Sequence, residues 1–573
     1  MQRILFALLC LSVIPSTACS EGPNGAKPNV LIVLTDDQGL GDFSCMGNPI
    51  LKTPNFDKFH TQSVRFIDFH AAPMCTPTRG QLLTARDAVR NGATSVTGGR
   101  AFMRPGLQTL PQLLRSLGYR TGLFGKWHLG DNFPHRPNDR GFDEAVYHLG
   151  WGMTAAPEFQ GKYFDGRYLR NGKEANFKGY MTDFWFDEAM KWMGDRKAKD
   201  EPFFCYLPTN APHAPHIVAE KYSAPYKGKT AGFFGMIANL DENMARLDEF
   251  LRKTGLYENT IVIVMTDNGG TTGVPIFNAG LRGGKTTFYE GGHRVPCWVR
   301  WPAGNLGEPR DIETPAQVQD LMPTLLDLVG GRTSKDYPID GRSLASLLRG
   351  EKIAFPDRMM VVQYSRAELK KYECCVIWNR WRLVHGKELY DVRADRAQKN
   401  DLAEKHPEIA KKMLDHYEGW WKELEPLSKS FVATTLGSKH QPSVTLTSSD
   451  WQDIYSDNAG HVSQAVGGPK GAWWNVNVEV EGAYEIHLRR WPVELNLPLN
   501  SAPARKDAKS LPIAAGKLTL LGKEGAAMAM GKDAREIVIR IDLPKGEGRL
   551  QAWFQDAQGQ DLCGAFYATV EKK

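Results

Sequence analysis

The fold is indicated by two apolar runs that end in the same way. Asn29-Val30-Leu31-Ile32-Val33-Leu34 leads into Thr35-Asp36-Asp37, and Thr260-Ile261-Val262-Ile263-Val264-Met265 leads into Thr266-Asp267-Asn268. Continuous β-branched runs without polar alternation predict strands that are buried on both faces, as in a parallel sheet covered by helices. One polar cluster after a strand is typical of a turn or helix cap, whereas two matching clusters favour a site. Because ligands bind beyond the carboxyl ends of such strands, we expect the two clusters to converge.

Helices alternate with strands over the first part of the chain. Residues 108–118 have the pattern of a capped helix that ends at a glycine and leads into a strand at 119–124, and another helix is predicted from about 234 to 254. This βαβ alternation predicts an α/β fold with a doubly wound, mostly parallel sheet over residues 28–345.

The sequence pattern changes after the predicted α/β region. Short strand candidates at 359–363, 375–378 and 382–384, followed by a helix at 407–424, predict a small antiparallel α+β subdomain over 346–426. Residues 430–573 contain alternating segments separated by Gly, Pro and Asp turns. This pattern predicts an appended β-sandwich-like domain.

Composition excludes several classes of protein. The chain is 42% hydrophobic and 24% charged, which is an ordinary composition for a globular protein. Its 573 residues are too many for one small binding module. The 71 Lys and Arg exceed the 65 Asp and Glu by only six. A dedicated nucleic-acid binder would carry a larger basic excess, so we expect no nucleic-acid partner.

The first residues have the pattern of an export signal. Residues 1–18 carry Arg3, the apolar run Ile4–Leu11 and the small-x-small sequence Ser16-Thr17-Ala18. This apolar run is too short to span a bilayer and no later run approaches eighteen residues, so we expect no transmembrane anchor. The protein is predicted to be periplasmic or extracellular. Cys19 resembles the lipidated cysteine of a bacterial lipobox, with Ser16 where Leu is usual, so a lipid anchor stays an alternative.

The cysteine count leaves one thiol over. Without Cys10 and Cys19, seven cysteines remain: Cys45, Cys75, Cys205, Cys297, Cys374, Cys375 and Cys563. In an exported protein an odd number leaves at least one thiol unpaired, by accident or for chemistry.

The sharpest local motif is Cys75-Thr76-Pro77-Thr78-Arg79, followed by a short predicted helix. It resembles the sulfatase signature C-x-P-x-R. The resemblance extends over residues 30–425 through five further motifs in the family's order: Thr35-Asp36-Asp37-Gln38-Gly39, Gly125-Lys126-Trp127-His128-Leu129-Gly130, Asn210-Ala211-Pro212-His213, Thr266-Asp267-Asn268-Gly269 and Arg282-Gly283-Gly284-Lys285. It implies an alkaline-phosphatase-like fold and hydrolysis of sulfate monoesters. The motif sequences resemble most those of bacterial arylsulfatases and carbohydrate sulfatases.

The resemblance also implies roles for single residues. A formylglycine-generating maturase would oxidise Cys75 to formylglycine (3-oxoalanine), whose hydrated aldehyde is the nucleophile. Lys126 would hold the nucleophilic hydroxyl, and His128 would be the base at the second hydroxyl that expels sulfate. His213 and Lys285 would grip the sulfate ester, with His213 as the acid for the leaving alcohol.

Elementary chemistry agrees with these roles. Cleavage of a sulfate monoester sends negative charge to the leaving oxygen, so the site needs cations and a proton donor. Arg79 lies one helical turn beyond Cys75, where its guanidinium can hold the formylglycine and nearby anionic oxygens. Lys126 and His128 alternate along a predicted extended segment and would share one face.

A cation site is predicted from the two polar clusters. Asp36, Asp37, Asp267 and Asn268 offer only oxygens and three negative charges, which suits Ca²⁺ rather than zinc. The modified side chain of Cys75 and one sulfate oxygen would complete the coordination.

One departure from the family pattern and several alternatives stay open. Ala85 stands where the family usually has Gly, which predicts less efficient modification of the cysteine. His216 is either a substrate contact or a solvated loop residue. The rival activities are a phosphonate or phosphate ester hydrolase of the same superfamily, a non-catalytic glycan-binding protein, and a thiol hydrolase that uses unmodified Cys75 with His128.

A sulfated sugar is the favoured substrate among sulfate monoesters. The export signal, the appended β domain and the aromatic stretch Tyr147–Trp151 favour it over a steroid or simple aryl sulfate, because aromatic rings stack on sugar faces. A galactose-type sugar is our more specific expectation.

Overall fold

The computed structural model describes residues 26–159, 161–334, 336–352 and 354–573. The predicted export signal at 1–18 and Cys19 lie outside these residues. Among the residues described, no helix is long and apolar enough to cross a membrane.

A ten-stranded sheet forms the centre of the α/β region. Its strands lie in the order Asp311–Ile312, Val64–Phe66, Cys297–Arg300, Thr260–Thr266, Asn29–Thr35, Phe203–Pro208, Arg120–Lys126, Glu144–His148, Arg167–Arg170 and Lys173–Asn176. The strands from Thr260–Thr266 to Glu144–His148 are parallel, whereas Cys297–Arg300 runs antiparallel to both of its neighbours. The predicted α/β fold class with a mostly parallel sheet is thus confirmed.

The two runs that led to this prediction are adjacent strands. Asn29–Thr35 and Thr260–Thr266 pair in parallel with Thr35 opposite Thr266, so both strands end at the same level of the sheet. Alternate residues of Asn29–Thr35 enter two apolar cores on opposite faces of the sheet: Val30, Ile32 and Leu34 in one, Leu31 and Val33 in the other. Burial on both faces explains why the run contains no polar alternation.

Helices cover both faces of this sheet and also occur in the later part of the chain. They are Pro54–Thr61, Cys75–Thr84, Ala88–Asn91, Leu110–Ser116, Met181–Ala198, Glu220–Ser223, Ala231–Lys253, Glu290–His293, Leu321–Leu328, Ala345–Leu348, Pro407–Ser428 and Ala459–Ser463. The helix predicted at 108–118 is shorter than expected. Thr109 and Gln112 form a capping box, which starts the helix at Leu110.

Three smaller sheets follow the pattern expected from the sequence. A four-stranded antiparallel sheet consists of Met360–Gln363, Cys374–Trp378, Trp381–Val384 and Glu388–Asp391, and the helix Pro407–Ser428 packs on it. One later sheet contains Thr434–Leu436, Trp473–Val478, Gly546–Gln555, Ala515–Leu520, Lys523–Met528 and Asp561–Gly564. The other contains Ser443–Thr447, Tyr567–Lys572, Gly482–Arg489 and Ile537–Leu543. Phe69–His70 and Ala316–Gln317 form a separate parallel pair.

The two sheets formed by residues 434–572 share one apolar core. Val476 and Leu550 from the first sheet and Ile486 and Val570 from the second are all buried in it. We call residues 430–573 the sandwich region. It contacts the α/β region through polar bonds such as that from Thr97 Oγ1 to the carbonyl of Ser449, 2.7 Å.

The seven cysteines of the described chain are all free thiols. Cys374 and Cys375 are neighbours on one strand, and their side chains enter different apolar clusters on its two faces. Strand geometry therefore separates these two thiols.

Candidate active site

The two polar clusters converge at the carboxyl edge of the central sheet. The backbone N–H of Asp37 donates to Asp267 Oδ1 at 3.2 Å, and Asn268 Nδ2 donates to Asp37 Oδ1 at 3.0 Å. Asp36, Asp267 and Asn268 are fully buried and Asp37 nearly so. The parallel register that ends both strands together produces this meeting of residues about 230 positions apart.

Cys75 is the first residue of the helix Cys75–Thr84 and is buried beside this cluster. Pro77 lies in the first turn, where its missing N–H costs no helical hydrogen bond. The Cys75 Sγ is 3.5 Å from His128 Nδ1. Burial raises the pKa of the Cys75 thiol, although Lys126 and Lys285 lower it. An unmodified Cys75 is thus held as a thiol, which is a poor nucleophile.

The same helix ends at Ala85, which adopts a left-handed conformation with φ of 54°. Glycine takes this conformation without the penalty of a Cβ atom, which is about 1–2 kcal/mol for other residues. The departure from the family pattern noted in the sequence therefore falls at a backbone position that favours glycine.

Arg79 ties the helix to the carboxylates. Its Nη2 is 2.8 Å from Asp267 Oδ2 and 3.8 Å from Asp36 Oδ2, and its Nη1 donates to the carbonyl of Lys126 at 2.9 Å. Burial opposes the charge, but Asp267 and Asp36 together hold the pKa of Arg79 above its ordinary value. In this structure the Arg79 guanidinium binds carboxylate oxygens of the polar cluster, and its contact with a formylglycine stays a prediction.

Lys126 ends the strand Arg120–Lys126 and forms a buried ion pair with Asp36. The prediction that Lys126 and His128 share one face of an extended segment is wrong, because His128 has a left-handed φ of 57°. The strand stops at Lys126, and the turn after it brings the His128 ring to Cys75.

The protonation of His128 follows from its contacts. Its Nε2 is 3.4 Å from the carbonyl of Val96, which can only accept a hydrogen bond, so Nε2 carries the proton. Burial and the charges of Lys126 and Arg79 lower its pKa well below the ordinary value and keep the ring neutral. The Nδ1 atom facing Cys75 is therefore the unprotonated nitrogen, as a base at that position requires.

His213 and Lys285 meet at Asp37. Lys285 Nζ is 2.5 Å from Asp37 Oδ1, and His213 Nε2 is 3.6 Å from Asp37 Oδ2. Burial lowers the pKa of His213 to about 4, against the opposing effect of Asp37. His213 Nδ1 donates to the carbonyl of Ala214 at 2.7 Å, which leaves Nε2 directed toward the carboxylate.

The oxygen cluster fits a hard cation. Asp36 Oδ1 and Asn268 Oδ1 are buried and have no hydrogen-bond partner in the described chain. Ligand atoms of Asp36, Cys75 and Asp267 lie within 4.8 Å of one another, and so do those of Asp36, Asp37 and His213. Unpaired buried oxygens are costly unless something binds them, and carboxylate and amide oxygens are typical ligands of hard divalent cations.

Charge is balanced within this cluster. Each of the three carboxylates has its own cationic partner: Asp36 pairs with Lys126, Asp37 with Lys285 and Asp267 with Arg79. Burial and the neighbouring Asp36 raise the pKa of Asp267 to about 6. A divalent cation added to this balanced set would leave the site positively charged, which favours an anionic substrate.

Sequence reasoning missed a second buried cluster that supports the site. Both oxygens of Glu290 bind arginines, Oε1 to Arg382 Nε at 2.8 Å and Oε2 to Arg294 Nη1 at 2.9 Å, and His70 Nδ1 is 3.0 Å from His293 Nδ1. With both carboxylate oxygens held by guanidinium groups, this is an ion-pair network rather than a metal site. It joins the small antiparallel sheet to the segment that follows Lys285, and no local pattern links residues so far apart in sequence.

A set of buried carboxylates and cations beside a helix-borne cysteine, at the carboxyl edge of a mostly parallel sheet, defines an enzyme that acts on anionic esters. The profile of the sulfatase family matches residues 28–331, and the chain belongs to that family. It is a sulfuric ester hydrolase.

Relatives of known activity agree with this assignment. The chain is 32% identical to N-acetylgalactosamine-6-sulfatase of Homo sapiens over 370 residues, 58% of this chain and 69% of the relative. It is 28% identical to steryl-sulfatase of Rattus norvegicus over 454 residues, 62% of this chain and 74% of the relative. The crystal structure of Ps i-CgsB in complex with k-i-k-neocarrahexaose superposes with a TM-score of 0.63 at 27% identity, covering 69% of this chain and 92% of that one.

Proposed function

We propose that this enzyme removes sulfate from a sulfated glycan, using Ca²⁺ and a formylglycine made from Cys75. The observation that carries the proposal is the 3.5 Å distance from His128 Nδ1 to Cys75 Sγ, beside an oxygen cluster that contains two unpaired buried oxygens. A thiol hydrolase would need a thiolate at Cys75, whereas burial raises the pKa of that thiol.

Asp36, Asp37, Asp267 and Asn268 would hold the cation, together with the modified residue at position 75. Bound there, Ca²⁺ supplies positive charge to a sulfate oxygen and makes a neighbouring hydroxyl easier to deprotonate. A hydrated aldehyde at position 75 supplies a hydroxyl nucleophile, and a second hydroxyl through which the aldehyde can be regenerated.

Lys126 and His128 act on the side chain at position 75. The Lys126 ammonium forms a buried ion pair with Asp36. In our proposal it stabilises negative charge on a hydroxyl oxygen of the modified residue at position 75. His128 Nδ1 accepts the proton of the second hydroxyl when sulfate is released, and its Nε2–H remains on the Val96 carbonyl. Because burial, and then Lys126 and Arg79, lower the pKa of His128, we propose that the ring enters this step unprotonated.

His213 and Lys285 act on the ester. The Lys285 ammonium binds a sulfate oxygen, and His213 Nε2 donates a proton to the alcohol oxygen as the S–O bond breaks. Burial lowers the pKa of His213 and favours the neutral ring with its proton on Nδ1, directed at the Ala214 carbonyl, so the form that can donate from Nε2 is the imidazolium. The negative charge of a bound sulfate favours that form, because a nearby opposite charge raises the pKa of a histidine.

A sugar is the proposed alcohol. One relative is an N-acetylgalactosamine-6-sulfatase, and the similar solved structure holds a neocarrahexaose. The Trp151 ring lies 5.4 Å from the His213 ring, where an aromatic face can pack against a sugar attached to the sulfate. A galactose-type sugar remains the more specific proposal.

We also propose that the chain is exported to the periplasm or the extracellular space. The pattern of residues 1–18 supports an export signal, and Cys19 supports a lipid anchor as the alternative to a free periplasmic or extracellular enzyme. A formylglycine-generating maturase is then a required partner.

Mass spectrometry of the tryptic peptide Phe66–Arg79 tests the nucleophile. Protein made with the maturase should carry formylglycine at position 75 and hydrolyse sulfated galactose-type sugars; protein made without it should keep the thiol and be nearly inactive. Cys75→Ala should abolish activity in both preparations, while Cys45→Ala, at a partly buried cysteine elsewhere, serves as the control. Full activity with unmodified Cys75 would refute the formylglycine proposal, and preference for phosphate or phosphonate esters would refute the sulfate one.

A further inference from the structure

Three segments that are far apart in sequence meet at the rim of the site. Trp151 follows the strand Glu144–His148, Arg366 follows Met360–Gln363, and Tyr455 lies in a loop of the sandwich region. Trp151 is half-buried, whereas Arg366 and Tyr455 are exposed.

Trp151 connects the candidate acid to the sandwich region. Its ring lies 5.4 Å from that of His213, and its Nε1 donates to the carbonyl of Asp457 at 3.2 Å. Ala156, on the same loop, donates its N–H to the same carbonyl at 2.8 Å. The loop around Asp457 is therefore fixed against the segment that approaches the leaving-group side of the site.

Tyr455 lies on this loop with its ring 43% exposed. Burial of its hydroxyl and the nearby Asp457 raise the pKa of Tyr455 to about 12, while Arg366 and Lys285 lower it. Tyr455 is two residues before Asp457, so the hydrogen bond from Trp151 Nε1 to the Asp457 carbonyl fixes the loop of Tyr455 beside Trp151.

The backbone of Arg366 is held by the segment that also contacts His128. Ser95 Oγ donates to the Arg366 carbonyl at 2.6 Å, and the next residue, Val96, accepts from His128 Nε2. The Arg366 guanidinium lies 5.5 Å from the centre of the Tyr455 ring. It forms no ion pair within the part of the chain that the structure describes, in contrast to Arg79, which is ion-paired and buried.

An exposed guanidinium that forms no ion pair among the described residues and lies beside an aromatic ring is suited to a planar or tetrahedral oxyanion, which it can bind through two N–H groups. We propose that Arg366, Tyr455 and Trp151 form a second recognition site, which binds a further oxyanion of the glycan and packs on its sugar rings. The oxyanion is a carboxylate or a second sulfate ester. This proposal rests on the proposed glycan sulfatase function and makes the sandwich region part of substrate selection.

Kinetics with four substrates test the site. They are a small aryl sulfate, a monosulfated oligosaccharide, its disulfated form and a monosulfated form that carries a uronate. For whichever dianionic sugar the site accepts, Arg366→Gln should lower kcat/KM by about 10- to 100-fold, chiefly through KM, because it removes a charge-assisted contact. The aryl sulfate should keep its kcat/KM within about twofold, since it does not reach Arg366. Comparing the uronate and the disulfated sugar identifies the oxyanion.

Variants at the ring separate stacking from charge. Tyr455→Ala should lower kcat/KM for oligosaccharides about 3- to 10-fold, whereas Tyr455→Phe, which keeps the ring, should leave it near the wild-type value. Arg332→Gln is the matched control for lost charge. Arg332 is exposed and follows Gly331, which packs against Leu117 at the opposite edge of the sheet.

A binding measurement distinguishes this proposal from the reaction itself. Calorimetric titration of the Cys75→Ala protein with the dianionic sugars should show the same loss of affinity on adding Arg366→Gln, without any turnover. Equal losses on the aryl sulfate and the sugars, or unchanged binding of both dianionic sugars, would overturn the second site. If the wild-type enzyme hydrolyses aryl sulfate but neither turns over nor binds any sugar, the glycan function fails and the second site fails with it; if monosulfated sugars are turned over and only the Arg366 effect is missing, the second site alone fails.

Discussion

Arg79 offers a direct test of how the site is held together. Its guanidinium is fully buried and is the only cation within 3 Å of Asp267 among the described residues, at 2.8 Å. Replacing it by Met in Arg79→Met keeps most of the apolar volume but leaves three buried carboxylates facing two lysines. We expect the protein to be destabilised mainly through the charge of Asp267.

The size of the effect follows from burial. Removing one partner of a buried pair costs about 3–5 kcal/mol of unfolding free energy, because the other charge is left uncompensated. Adding Asp267→Asn to Arg79→Met removes that charge, so the double variant should recover part of the loss. A coupling free energy of about 2 kcal/mol or more between the two sites is expected, at the upper end of the range for residues in contact.

Urea unfolding in the presence of a chelator measures these free energies, followed by tryptophan fluorescence and circular dichroism. Arg120→Met is the matched control, since the half-exposed Arg120 pairs with Glu201 at 3.1 Å. An exposed pair contributes about 0–1 kcal/mol, so this variant should unfold near the wild-type midpoint. In Arg79→Met, added Ca²⁺ should stabilise the protein more than it stabilises the wild type, because one competing positive charge is gone.

A small effect would refute this reasoning. If Arg79→Met costs less than about 1 kcal/mol, or if the double variant is no more stable than the single one, Asp267 is not held by the guanidinium as the distances indicate. If Ca²⁺ stabilises the variant and the wild type equally, the guanidinium does not compete with a cation.

Three further predictions address the chemistry and the sandwich contact. His213→Ala should lower the rate for alkyl and sugar sulfates by about 10²- to 10⁴-fold and that for activated aryl sulfates much less, because only poor leaving groups need a proton; equal losses in a leaving-group series would contradict the acid role. Chelation should abolish activity and lower the thermal midpoint, and Ca²⁺ at about 100 times its dissociation constant should restore both, with about 2.7 kcal/mol of stabilisation; a metal-free, fully active enzyme would contradict the cation site. Burial and then Asp131 raise the pKa of Asp450 to about 8 from an unfolded value near 3.8. Asp450 therefore does not lower the free energy of unfolding below pH 4, and lowers it increasingly as pH rises toward 8. Asp450→Asn should therefore raise the thermal midpoint more at pH 9 than at pH 4, and an equal change at both would contradict the shift.

The sequence predicts the centre of this molecule well because the relevant signals are local. The run Val30–Leu34 is apolar at every position because both faces of the sheet are covered, and this signal lies within five consecutive residues. The convergence of Asp36 and Asp267 then follows from parallel pairing alone.

Other features depend on tertiary contacts and have no local signal. The left-handed turn at His128 is one example, since the Gly125–Gly130 motif reads equally well as an extended segment. The ion pairs of Arg382 with Asp68 and Glu290 join segments separated by 314 and 92 positions. Tyr455 approaches the site only because the sandwich region packs against the loop of Trp151.

The charges of the site explain why such a distant contact matters. With Asp36, Asp37 and Asp267 each paired to a cation, the cluster is neutral and would gain two positive charges on binding a divalent cation. One sulfate monoester offsets only one of these charges, and the excess attracts sulfate groups without regard to the alcohol they esterify. Selection among sulfate esters must therefore come from groups outside the cluster that contact the rest of the substrate. Arg366, Tyr455 and Trp151 are the groups that we propose for such contacts. A β-sandwich with none of the proposed catalytic groups is therefore expected to change which ester is hydrolysed while leaving the chemical step intact.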